Sequence, residues 1–102
     1  MKYPYLTKKR TSLYGGHDSF LRVMKQRFPT VKFSNRKDVV DPKVIRLSDV
    51  VWIQNNCISH SKYYSVIKIA NMYNIPVKYF SNAGTQMSSK QLIDYDRYEQ
   101  SV

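Results

Sequence analysis

Apolar positions along this chain alternate between two periods. Thr11-Ser12-Leu13-Tyr14 reads as a short strand, closed by Gly15-Gly16. Phe20, Leu21, Met24 and Phe28 then recur at helical spacing, with Arg22, Lys25 and Arg27 mostly on the opposite face, and Pro29 stops the helix. Asp18 or Ser19 is predicted to cap it, because a side-chain oxygen can accept from first-turn amides. Val31-Lys32-Phe33 alternates as a second strand. Asp41-Pro42 starts a second helix, whose buried side would be Val44, Ile45 and Leu47. Val50-Val51-Trp52-Ile53 is apolar without alternation, as in a strand covered on both faces.

Ser59 or Ser61 caps the third predicted helix, which carries Tyr63, Val66, Ile67, Ala70 and Tyr73 as its stripe. Asn74 suits its C-terminal cap, and Pro76 follows. Val77 to Phe80 is the fourth strand. Ser88 with Gln91 has the capping-box spacing, and Leu92, Ile93 and Tyr95 continue a last helix into an acidic tail.

Strict β-α alternation predicts an α/β fold: one three-layer domain with a four-stranded parallel sheet and helices on both faces. Right-handed crossovers lead to the strand order 2-1-3-4, a shortened flavodoxin-like or Rossmann-like layout. Residues 11–102 form this domain. Residues 1–10, with Lys2, Pro4, Lys8, Lys9 and Arg10, read as a basic arm or edge segment. The order reverses between the first and third strands. This places Gly15–Ser19 and Asn55–His60 on the two sides of one crevice, where ligands of open parallel sheets bind.

Composition narrows the choice of chemistry. The formal net charge is +10. The first 46 residues hold twelve Lys and Arg against three Asp, and the remainder five against four. That asymmetry fits an anionic partner (a nucleotide, a nucleic acid or an acidic protein face) or simply a solvated basic surface. Cys57 is alone, so no internal disulfide forms, and a reduced, cytoplasmic setting is the simplest assignment. No apolar run reaches the ~20 residues that cross a bilayer, and no membrane role is expected.

Leu13-Tyr14-Gly15-Gly16, Asp49-Val50-Val51-Trp52-Ile53, the Ser59-His60 pair opening a Lys-bearing helix, and Asn74-Ile75-Pro76-Val77 resemble a bacterial family catalogued as domain of unknown function 2325. The resemblance spans Ser12 to Tyr95. It implies a small α/β domain with a glycine pair and a helix-start Ser-His, and it carries no activity with it.

Gly15-Gly16 lets the backbone turn sharply, and the amides after it can favour an anion. The pattern is neither G-x-G-x-x-G nor a P-loop, and a tight turn without a ligand explains it nearly as well. His60, beside Ser59 and Lys62, can contact a phosphate, serve as acid and base, or merely cap and pack. Asn55 and Asn56 can bind a ribose or phosphate, or adopt left-handed turn geometry, the commoner role. His17 counts as a rim residue and Cys57 as a buried, inert thiol. Asp38 has the spacing of a ribose-binding acid, though Arg36 and Lys37 make a loop ion pair the simpler reading. Two histidines, one cysteine and no clustered carboxylates point to no metal site, and no cofactor is implied.

The first expectation is therefore a non-catalytic binding or regulatory module for a phosphate-bearing ligand, nucleotide or nucleic acid. Its ligand-binding candidates are Gly15, Gly16, Asp18, Ser19, Asn55, Asn56, Ser59, His60 and Lys62, with Lys8, Lys9, Arg10, Arg36 and Lys37 as basic surface. The alternatives are a small enzyme acting on a phosphorylated substrate with His60 as acid-base, and a protein-docking regulator. An open sheet edge leaves homodimer formation possible.

Overall fold

The computed structural model describes residues 5–34, 39–81 and 84–101. The elements run β1 (Thr11–Gly15), α1 (Asp18–Arg27), β2 (Lys32–Ser34), α2 (Pro42–Arg46), β3 (Val50–Gln54), α3 (His60–Met72), β4 (Val77–Tyr79) and α4 (Thr85–Ser101). The four strands form one parallel sheet in the order β2-β1-β3-β4. The β-α alternation and its predicted strand order are therefore what the fold contains.

Strand periodicity divides the core in two. Leu13 of β1 and Val50 and Trp52 of β3 point to one face, where they meet Phe20, Leu21, Met24 and Phe28 from α1 and Leu92 from α4. Tyr14, Val51 and Ile53 point to the other, against Ile45 of α2 and Val66 and Ala70 of α3. Both central strands are buried along their whole length, which accounts for the unbroken apolar run at 50–53. Trp52 stacks on Phe80 with centroids 4.6 Å apart, and Phe20 meets Phe80 edge-on. Such aromatic pairs add roughly 0.5–1.5 kcal/mol each beyond their area.

Local signals held at two helix starts. Asp41 accepts from the Lys43 amide at 3.0 Å with Pro42 in the first turn, and Ser59 accepts from the Lys62 amide at 3.2 Å. Asn74 takes the left-handed conformation (φ 57°) just after α3. Four local expectations fail. His17, not Asp18 or Ser19, is the N-cap of α1, and its side chain makes no capping bond. Leu47 is the C-cap of α2 and is exposed, because the helix ends before its apolar side reaches that position. Tyr73 lies beyond the last turn of α3 and is exposed.

The Ser88/Gln91 capping box is the fourth. Helix α4 begins a turn earlier, at Thr85, so Ser88 and Ser89 are fully buried inside it. Both serines have partners there. The Gln54 amide donates to Ser88 at 3.5 Å, and the Ser89 hydroxyl donates to the Thr85 carbonyl at 2.6 Å. Arg27 of α1 donates to Ser89 at 3.0 Å and to the Thr85 carbonyl at 3.3 Å, which ties α1 to α4. Gln91 instead accepts from the Ser81 amide.

The basic segment before β1 is anchored as well. Asp96, 3% exposed, accepts from the Tyr5 hydroxyl and from the amides of Lys8 and Lys9. The Tyr5 amide donates to the Arg27 carbonyl at 2.6 Å. No helix among the described residues is long and apolar enough to cross a membrane.

Candidate functional site

Parallel strands carry their following turns to one end of the sheet, so the β1–α1 and β3–α3 turns share a rim. They touch directly: the Gly16 amide donates to the Asn56 carbonyl at 2.7 Å. Beside this contact lies an open cavity of about 300 Å³ lined by Gly15, Ser34, Cys57, Ile58, Ser59 and Lys62. Ser34 ends β2, Gly15 ends β1, and Ser59 and Lys62 belong to the first turn of α3.

The glycine pair has a steric cause inside the fold. Gly15 sits at φ +91°, and a Cβ there would stand 2.1 Å from the Gln54 carbonyl oxygen. Gly16 sits at φ +99°, and its Cβ would meet the Phe20 ring at 2.5 Å. Close approach to β3 and α1, rather than to a ligand, is what excludes side chains at both positions. The Gly16 amide is also committed to Asn56, which removes it as an anion donor.

The predicted site residues therefore divide. Gly15, Ser59 and Lys62 line the cavity. Gly16 and Asn56 form the bridge behind it. Asn55, Asp18, Ser19 and His60 are exposed at the rim and are not among the lining residues. His60 lies nearly parallel to Tyr64, ring centroids 6.5 Å apart. The left-handed residue of the β3–α3 turn is Cys57 (φ 63°) rather than either asparagine. Cys57 is half-buried on the cavity wall, not sealed in the core as the sequence reading has it. Nothing in residue type alone marks Ser34, Cys57 or Ile58 as lining, because their positions follow from β2 and the turn coming together.

Charge separates the two helix starts. Asp18 lies in the first turn of α1, where a carboxylate already complements the helix dipole. The first turn of α3 holds no acidic residue and carries Lys62 on the cavity wall. Lys8, Lys9 and Arg10 precede β1 and lie at the opposite end of that strand from Gly15, so they do not extend the cavity's surface. Arg10 there pairs with Asp49 at 3.2 Å. The backbone and side-chain bonds from Arg10 hold the Asp49 carboxyl below its ordinary range. Arg36, Lys37 and Asp38 lie outside the described residues.

Tyr14, one residue before the glycines, faces α2. Burial first, and the nearby Asp41 second, push its phenol up to about 12. It stays neutral and is no general base near neutral pH. Among the described residues no three His, Cys, Asp or Glu side chains come together as metal ligands.

No protein family, curated protein or solved structure matches the chain. The resemblance read from its motifs rests on those motif residues alone.

Proposed function

We propose that this chain is a small, non-catalytic binding module that holds a phosphate-bearing anion in the cavity between the carboxyl ends of β1 and β2 and the β3–α3 turn. The carrying observation is that Gly15, Ser34, Ser59 and Lys62 converge on one open space of about 300 Å³ at the reversal of strand order. A first helical turn without a carboxylate, and a lysine beside it, favour negative charge there. The formal charge of +10 raises the local concentration of anions. We include membership of the family resembled by Leu13–Gly16 and Ser59-His60 in the same proposal. Gly15 and Ser59, two of those motif residues, line the cavity. The enzyme reading loses support because His60, its acid-base, is not a lining residue.

Thermal unfolding with inorganic phosphate, mononucleotides and dinucleotides tests the proposal. A ligand at ~100 times its dissociation constant adds about 2.7 kcal/mol. Lys62→Ala should abolish that gain. The absence of stabilisation by any of these ligands rejects the reading.

A further inference from the structure

The α3–β4 side of the molecule carries two exposed tyrosines, with a third, Tyr63, half-buried against the core beside them. Tyr64 is 65% exposed and Tyr79 43%, although Tyr64 lies within α3 and Tyr79 ends β4. His60, Tyr64 and Lys68 recur every fourth residue and form one exposed row along α3. Tyr63 stands beside that row, edge-on to Tyr64 at 5.4 Å between centroids. Its hydroxyl hydrogen-bonds that of Tyr79 across to the edge strand at 3.3 Å. The helix is anchored underneath by Val66 and Ala70, so the rings are held on a rigid element.

Along α3 and β4 themselves the charge has one sign. The sequence contains no Asp or Glu between Asp49 and Asp94, a stretch that includes all of α3 and β4. Lys68 lies in the row, and Lys62 flanks it on the cavity side. Three partners could cover such a patch, and its chemistry separates them. A second copy of this chain would bring like charges face to face in a two-fold interface. A run of acidic side chains would match the lysines but brings no flat group to the rings. Unpaired bases on a phosphate backbone match both, since every base has a π-face and every linkage a negative charge. A duplex hides its base faces and does not.

We infer that Tyr64, Tyr79 and Tyr63, with His60 and Lys68, form a stacking platform for single-stranded nucleic acid. This surface runs along α3 and β4 and stands whether or not the cavity holds an anion.

Fluorescence anisotropy with a labelled oligothymidylate of roughly 15 nucleotides, near the upper site size of small single-strand binders, tests the platform. A duplex of equal length and an oligoglutamate are the competitors. Tyr64→Ala and Tyr79→Ala should each weaken oligothymidylate binding about fivefold or more, the range of losing one base-stacking ring. Tyr64→Phe should bind as the parent does, because it keeps the ring. Affinity should fall steeply with salt. Lys62→Ala, which disables the cavity, should retain the tyrosine dependence. The inference is overturned if the parent does not bind oligothymidylate, if it binds the duplex as tightly, or if the Ala variants bind unchanged. It is also overturned if oligoglutamate displaces the oligonucleotide at equal concentration, which would make the patch an acidic-protein dock. Tyr64 is mostly in water, so its variants fold, and the melting temperature of each checks this.

Discussion

The Tyr5 hydroxyl donates to the Asp96 carboxylate at 3.0 Å and joins residues 91 positions apart. The same carboxylate takes the Lys8 and Lys9 amides, so one buried acid fixes the segment before β1 onto α4. Burial, then the bond to Asp96, raises the Tyr5 phenol above its ordinary range.

Asp96→Ala removes an acceptor that is itself 3% exposed and leaves two amides and a phenol at part-buried positions without it. It should cost about 3 kcal/mol, the scale of leaving such groups unpaired, as read by urea denaturation. Tyr5→Phe removes one bond and should cost only about 1 kcal/mol. In hydrogen exchange, the Lys8 and Lys9 amides should lose protection in Asp96→Ala and keep it in Tyr5→Phe.

Gly15→Ala forces a Cβ against the backbone oxygen of Gln54 at a positive φ, and a backbone oxygen in a central strand cannot step aside. A loss of about 3 kcal/mol or more is expected, combining strain with displacement in a packed core. Gly16→Ala meets the Phe20 side chain instead, which can rotate a little, so its loss should be smaller. Parallel chemical melts of the two variants give the ranking, and equal losses would count against the Gln54 contact as the cause.

Tyr14 sets an alkaline limit. Below pH 10 it is protonated in both folded and unfolded chains, and its contribution is fully present. Between pH 10 and about 12 the unfolded chain ionises while the folded one does not, so stability falls as pH rises. Each unit is worth about 1.4 kcal/mol, and the window therefore removes about 3 kcal/mol. Tyr14→Phe should flatten that decline and leave stability near pH 7 almost unchanged. An alkaline titration of stability in the two proteins measures the difference.

Asp49 acts at the other end of the scale. Its folded carboxyl is lowered by the Arg10 amide first and by the guanidinium second. Its contribution is present above the ordinary carboxylate range and disappears as pH falls through the lowered value. The pair is substantially exposed, so the effect should stay below about 1 kcal/mol and shrink with salt. In Asp49→Asn the acid limb of the stability curve should be shallower. An unchanged limb would assign acid sensitivity to other carboxyls.

The fold was legible where local pattern and global packing agree. Pro29, Asp41-Pro42, Ser59 and Asn74 mark helix ends that a few neighbouring residues decide, and the doubly buried run at 50–53 marks a central parallel strand. The site was legible only as a place. That the two turns meet follows from strand order, yet the roles inside them did not follow from residue type. Gly15 avoids Gln54, Cys57 takes the left-handed bend, and Ser34 enters from β2.

Sequence by itself determined the elements, their parallel order and the end of the sheet where a cavity opens, because hydrophobic period, caps and crossover handedness act over short stretches. Tertiary structure alone decided what long-range contact decides. Ser88 became a buried partner of Gln54 rather than a cap, and Asp96 an anchor rather than part of an acidic tail. Such assignments depend on which distant group stands within hydrogen-bond reach, and a linear pattern holds no record of that distance.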